Sequence, residues 1–178
     1  MDRRFNLGVK IITDSTSDIP ESLVADLGIE VVPLNIHIGQ DNFKHGIDIG
    51  TDEFYTKLLS GSELPKTSQP SPGEFLDVYR KCLDDSDAIV SIHVTSKLSG
   101  TYNSAIQARN ELSTTKKIEI IDSATVSMAL GLIVLRAATI AKDGGSLEEV
   151  LKEIEYCCSN TEVLVVLDTL EYLEKGGR

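Results

Sequence analysis

Ser99, Gly100 and Thr101 follow directly on a near-continuous apolar run, Ala88 to Val94, and stand where a helix should begin. At such a junction the unpaired N–H groups of the first turn point outwards, and the helix dipole favours negative charge in front of them. The chemistry this supports is the holding of an anion, either a phosphate or a carboxylate. Without a ligand, the same residues read as a helix cap supplied by Ser99 or Thr101. A second loop of similar character, KTSQPSPGEF from Lys66 to Phe75, offers donors in Thr67, Ser68 and Gln69. Pro70 and Pro72 stiffen it, and Pro72 suits the first turn of the helix that follows.

Other polar clusters have plainer readings. Asp14-Ser15-Thr16-Ser17-Asp18 matches no metal-ligand spacing. It is expected to cap a helix starting at Pro20, with Ser15 or Ser17 lining the anion site. Asp122-Ser123 is expected to cap the helix after it. His37, between Ile36 and Ile38, is expected to face solvent, His45 lies in a loop, and His93 is expected to be a buried, hydrogen-bonded core residue. Serine hydrolysis at Ser99 is disfavoured. The flanking Ser-Lys-Leu-Ser-Gly-Thr lacks the glycine two residues earlier that a sharp elbow needs, and His93 is poorly placed as a base. No GxGxxG follows the first strand, and no P-loop Gly-Lys-Ser/Thr occurs.

These residues have to be positioned by a framework that hydrophobic periodicity outlines. Strands are expected at Val9 to Thr13, Glu30 to Ile38, Ala88 to Val94, Lys117 to Ile121 and Val163 to Leu167. Helices are expected at Pro20 to Leu27, Thr51 to Leu59, Pro72 to Leu83, Gly100 to Leu112, Ala124 to Ala141 and Ser146 to Cys158. Gly39 to Gly50 reads as a loop or hairpin, and Gly61 to Ser71 as a long loop of the kind that often carries function. Alternating strands and helices of this length give an α/β, Rossmann-like parallel sheet with helices on both faces. Ligands of such sheets sit at the carboxyl ends of the strands, where Asp14, Thr95 to Ser99 and Asp122 lie.

Several segments, taken together, resemble the DegV family of bacterial fatty-acid-binding proteins. They are TDSTSDIP at Thr13 to Pro20, VVPLNI at Val31 to Ile36, TSQPSPGEF at Thr67 to Phe75, SKLSGTYNSA at Ser96 to Ala105 and IIDSATVSMALG at Ile120 to Gly131. LEYLEKGGR at Leu170 to Arg178 is similar to the motif that closes the family's first domain. The resemblance implies a long-chain fatty acid, such as palmitate, bound through its carboxylate by hydroxyls of the two loops. It points to Thr67 and Ser99, and the chemistry of the loops themselves adds Ser68, the amides of Gly100 and Thr101, and Ser15. It also implies that the protein is a carrier rather than an enzyme, with no cofactor. A separate ATP-binding fatty acid kinase would phosphorylate the bound carboxylate. Because the family continues past Gly-Gly-Arg, residues 1–167 are expected to form the first domain. Residues 168–178 would start the connection to a second domain that is largely absent, which makes this chain a fragment or a truncated product. The alternative is an enzyme acting on a small phosphate or carboxylate at the same helix N-termini.

Composition narrows the partners. The chain has 178 residues and a formal net charge of -11, which argues against nucleic-acid backbones and anionic membranes. At this length, roughly 70% of the unfolded surface can be buried. The longest apolar stretch, Ala124 to Ala141, is interrupted by Ser127, Gly131, Arg136 and Thr139, so it reads as a buried helix rather than a membrane span. No signal peptide is read at the start, and a cytoplasmic protein is expected. Cys82, Cys157 and Cys158 form no disulfide framework, and Cys82 and one of the adjacent pair are expected to be small buried residues.

Overall fold

The computed structural model describes residues 8–60 and 64–175. Four strands, β1 (Val9–Asp14), β2 (Glu30–Val32), β6 (Ala88–His93) and β7 (Lys117–Asp122), form a parallel sheet in the order β2-β1-β6-β7. Three more, β3 (Asn35–Ile38), β4 (Asp41–Lys44) and β5 (Lys66–Ser68), form a separate antiparallel sheet in the order β4-β3-β5. The helices are α1 (Glu21–Leu27), α2 (Thr51–Ser60), α3 (Pro72–Asp84), α4 (Thr101–Glu111), α5 (Met128–Lys142), α6 (Leu147–Asn160) and α7 (Glu171–Lys175). A short 3-10 turn, Ser15–Ser17, follows β1.

The parallel sheet is apolar on both faces because it is covered on both. Ile11, Val90 and Ile92 point into a core made with Leu130, Ile133, Val134 and Ala137 of α5 and Val150 and Ile154 of α6. The intervening residues Ile12 and Ile89 point the other way, onto Phe75, Tyr79 and Cys82 of α3 and Ala105 and Ala108 of α4. Period-two alternation also puts Ser91 and His93 on the α3/α4 side, where the His93 ring meets Phe75 edge-on at 5.0 Å between centroids. Each fully buried large apolar side chain contributes roughly 1.5–3 kcal/mol. Capping boxes of Ser71 with Glu74 and of Ser146 with Glu149 start α3 and α6.

Five expectations need correction. Glu30 to Ile38 is two strands in two sheets. Pro33 has no N–H to continue the ladder, and the Leu34 amide instead donates to Ser15 Oγ at 3.0 Å. The loop from Gly61 to Ser71 contains β5, which pairs with β3; positions 61–63 lie outside the described residues. The fifth helix starts at Met128 rather than Ala124, because Ala124 and Ser127 have positive φ (56° and 58°) and cannot lie in a right-handed helix. Val163 to Leu167 forms no strand; no described strand pairs with it, and its side chains face solvent, with Leu164 and Val166 each 94% exposed. Of the cysteines, Cys82 is buried, whereas Cys157 and Cys158 are both only half-buried. The Gly-Gly-Arg of the closing motif, 176–178, lies outside the described residues.

Candidate functional site: a two-sided groove at the strand ends

β1, β6 and β7 all end at one edge of the parallel sheet, and the small antiparallel sheet stands over that edge. Between them lies a groove of about 520 Å³, within the size range of small-molecule sites. Thr67 reaches it from β5 and Ser99 from the turn before α4, so the two loops singled out in the sequence do line one space. Ser68, Gln69 and Gly100 line it as well. Its apolar walls come from Leu34, just before β3, Ile36 of β3, Phe54 of α2, and Leu98 and Val126.

Register explains which groups face inwards. Ile36 pairs with Thr67 on one side and Phe43 on the other, so these three share one face of the small sheet. Ser68 belongs to the opposite face. Its hydroxyl meets His37 Nε2 at 2.9 Å, and His37 Nδ1 bonds Asn42. His37 is thus half-buried in a polar network rather than solvated, and Ser68 can offer the groove only its backbone. On the same face, Lys44 bonds both Asn35 and Glu74, tying the sheet to the capping box of α3. Burial tends to raise the Glu74 carboxyl, but Lys44 and Ser71 outweigh it and hold it below its ordinary value.

On the facing side, Ser99 Oγ lies 2.9 Å from Thr101 Oγ1 and accepts from the Thr101 amide at 3.3 Å. Thr101 is wholly buried behind Ser99 and does not line the groove. The Gly100 backbone comes so close to Gln69 that a Cβ there would lie 2.7 Å from Gln69 Nε2. The two loops therefore touch, and glycine at 100 lets them. Ser15, by contrast, is turned away, with its hydroxyl taken by Leu34. It lines a neighbouring cleft beside α1.

The acidic clusters do not cap the helices they precede. Asp14 Oδ1 accepts from the Thr16 amide at 3.0 Å and so caps the 3-10 turn, while α1, preceded by Pro20, has no side-chain cap. Asp122 Oδ1 accepts from Ala124 N at 2.9 Å, and its Oδ2 from Ser96 N at 3.2 Å. It fastens two loops together instead of capping α5. Burial tends to raise the Asp122 carboxyl, but the bonds from Ser96 and Ala124 and the charge of Lys97 lower it overall.

His93 is the buried core histidine expected. It is wholly enclosed, with Nδ1 3.0 Å from Asp14 Oδ2 and Nε2 2.7 Å from Ser91 Oγ, and so it cannot serve Ser99 as a base. Thr16, Asp18, His45 and Thr51 also line the groove. The sequence reading missed their part in it. For His45 the signal was the Leu34/Ile36 and Phe43/His45 alternation, which becomes visible only once β3 and β4 are read as a hairpin; Thr16, Asp18 and Thr51 lie outside it. Among the described residues there is no cluster of three or more His, Cys, Asp or Glu able to hold a metal, and no helix long and apolar enough to cross a membrane.

Proteins of known sequence and structure share this fold. A DegV domain-containing protein of Caldanaerobacter subterraneus is 43% identical over 170 residues, covering 96% of this chain and 60% of that protein. A DegV family protein from Thermus thermophilus, whose structure is described for its fatty acid binding, superposes with a TM-score of 0.88 at 38% identity, over 96% of this chain and 60% of the other. Bacillus subtilis DegV, described as a fatty acid binding protein, superposes with a TM-score of 0.90 at 31% identity, over 96% and 61%. The chain thus spans about 60% of the length of these relatives. Residues 8–178 match the family model described as an uncharacterised protein, DegV family. With that match running from β1 through both loops of the groove, the chain belongs to the DegV family.

Proposed function

We propose that this chain holds a long-chain fatty acid such as palmitate by its carboxylate, and that it acts as an acyl carrier without chemistry of its own. The observation that carries this reading is the presence of Thr67 and Ser99 on opposite sides of one apolar-walled groove. A carboxylate removed from water needs such donors, and bonds to a charged group contribute about 1.5–3 kcal/mol each. Hydroxyls of Thr67 and Ser99 and the backbone around Gly100 supply them. Each buried methylene adds roughly 0.8 kcal/mol, so the tail dominates affinity and the loops set orientation. The fatty acid binding ascribed to the related proteins supports the same reading. An ATP-binding kinase that phosphorylates the carboxylate would be a separate partner. Leu98 and Tyr55, about half exposed at the mouth of the groove, give the remainder of a full-length relative a surface to close against.

The test is native mass spectrometry with organic extraction, followed by palmitate titration of wild type, Thr67→Ala and Ser99→Ala. A copurified fatty acid and a 10- to 100-fold loss of affinity in each variant are expected, the equivalent of about 1.4–2.7 kcal/mol. Unchanged affinity in both variants would overturn the head-group assignment, and a copurified nucleotide would favour a small-phosphate enzyme instead.

A further inference from the structure

Asp14 is wholly buried at the carboxyl end of β1, and it accepts four hydrogen bonds. The Thr16 amide and hydroxyl reach Oδ1, while the Val94 amide, at 3.1 Å, and His93 Nδ1, at 3.0 Å, reach Oδ2. Behind His93 the network continues inwards to Ser91 Oγ and then to the Tyr79 hydroxyl, which donates to Ser91 at 3.0 Å. Every member is satisfied if His93 is the Nδ1–H tautomer: Tyr79 gives to Ser91, Ser91 to Nε2, and Nδ1 to Asp14. A buried carboxylate is costly unless fully bonded, so a network this complete needs a reason to exist.

That reason lies in what hangs from the end of β1. Val94, held by Asp14, leads into Thr95, whose carbonyl accepts from the amides of Leu98 at 3.0 Å and Ser99 at 3.3 Å. The next residue, Ser15, holds the Leu34 amide, and Leu34 leads directly into β3, the strand against which β5 and Thr67 are paired. Two adjacent residues therefore support the two hydroxyls from below, Asp14 on the Ser99 side and Ser15 on the Thr67 side. Neither hydroxyl is anchored to the other by a direct bond. Both sides are tied to the end of β1, besides the contact of Gln69 with Gly100.

We propose that Asp14 and Ser15 are positioning residues for the carboxylate site: they set the separation of Ser99 and Thr67, and His93 keeps Asp14 oriented for that purpose. This rests on the fatty-acid reading above and adds to it a source for the geometry of the site. Asp14→Asn keeps the side chain's volume but leaves one oxygen where the carboxylate had two, so the Val94 and Thr16 amides can no longer both be bonded and the Ser99 turn is held less firmly, with the Asp122–Ser96 bond remaining. Ser15→Ala frees Leu34 and acts on the Thr67 strand.

The experiment is a comparison of palmitate with its methyl ester, which keeps the tail but loses the charge. Asp14→Asn and Ser15→Ala are each expected to weaken palmitate about tenfold and the ester less than about twofold. General loosening of the fold would weaken both ligands alike. Cycles add the second readout. Asp14→Asn should cost less than about twofold further in a Ser99→Ala background yet its full tenfold in a Thr67→Ala background, with the reverse for Ser15→Ala. Additive effects in all four combinations would overturn the assignment. A ligand-free readout keeps the two proposals apart. In Asp14→Asn the amides of Val94 and Ser99 should exchange with solvent at least tenfold faster, with the amides of Ala137 and Ala138 in α5 unchanged. Unchanged exchange at Val94 and Ser99 refutes the positioning role even if fatty acid binds. Wild type that binds neither palmitate nor ester refutes the fatty-acid reading and, with it, the part of this proposal that concerns the carboxylate.

Discussion

Replacing Gly131 with alanine should destabilise the protein although it improves a helix. Gly131 lies in the first turn of α5, where alanine is intrinsically about 1 kcal/mol better. A Cβ at this position would lie 2.4 Å from the Ser17 carbonyl oxygen, 3.3 Å from Ile19 Cγ1 and 3.4 Å from Met128 Sδ. The last two contacts can relax through side-chain movement. The first cannot, because Ser17 is buried and its turn is fastened to Asp14 through Thr16. Overpacking against fixed atoms costs about 1–3 kcal/mol. With the propensity gain deducted, the net loss is up to about 2 kcal/mol, a fall in Tm of up to about 8 °C for a protein of this size. Urea unfolding followed by circular dichroism measures it, with Gly73→Ala as the control. A Cβ at 73 would meet only Ser71 Oγ, at 3.8 Å. That variant should gain about 0.4–1 kcal/mol from the unfolded state. If Gly131→Ala were stabilised as much as Gly73→Ala, the close packing of α5 on the turn after β1 would be refuted.

Two further outcomes are expected. Gly100→Ala should change stability by less than about 1 kcal/mol, since only the flexible end of Gln69 must move. It should nevertheless weaken palmitate at least tenfold by filling the space between the two loops, and unchanged affinity would place the carboxylate elsewhere. Asp14 should make stability fall in acid. Burial pushes its carboxyl up, but His93, Thr16 and the Val94 amide together hold it below the ordinary 3.8. With the folded value depressed, the unfolded chain binds more protons below about pH 5, so this contribution is present above that range and lost as the pH falls through the folded value. Urea midpoints between pH 7 and 3 should fall more steeply for wild type than for Asp14→Asn, and equal slopes would show that Asp14 is not held ionised by its partners.

The strands that were legible are those whose whole environment is apolar. β6 is buried along its whole length, as only a doubly covered sheet explains, while β1 and the edge strand β7 show shorter apolar stretches, Ile11–Ile12 and Ile120–Ile121. The small sheet was only partly legible because its strands are three or four residues long and one of its two pairings, β3 with β5, is non-local. Lys66–Ser68 has no hydrophobic signal of its own and becomes a strand only because β3 accepts it. Val163 to Leu167 misled for the converse reason: its composition is that of a strand, but a strand requires a neighbour. The groove was partly legible. Thr67 and Ser99 stood out as hydroxyls in stiff or helix-opening turns, whereas Ser68 and Ser15 could not be sorted from them without the register. In a three-residue strand, one position decides whether a hydroxyl faces the groove or His37. Asp14 looked like a helix cap because caps and buried anchors share the same local pattern, and only β6, 79 residues away in the chain, distinguishes them.

Thr67 lies in the small sheet, whereas Ser99 lies in the turn that follows β6 of the parallel sheet, and this bears on how the molecule opens. The parallel sheet, sealed on both faces, should resist local opening up to the global unfolding free energy, while the three-stranded sheet, with few buried side chains, should open far more often. A molecule bonded to both hydroxyls acts as a cross-link between these two units. It adds its binding free energy to the opening reaction of the weaker one, and protection of β3 and β5 should therefore rise with ligand concentration while that of β6 does not change. Occupancy could then be read from amide exchange in the small sheet alone, without any label on the lipid.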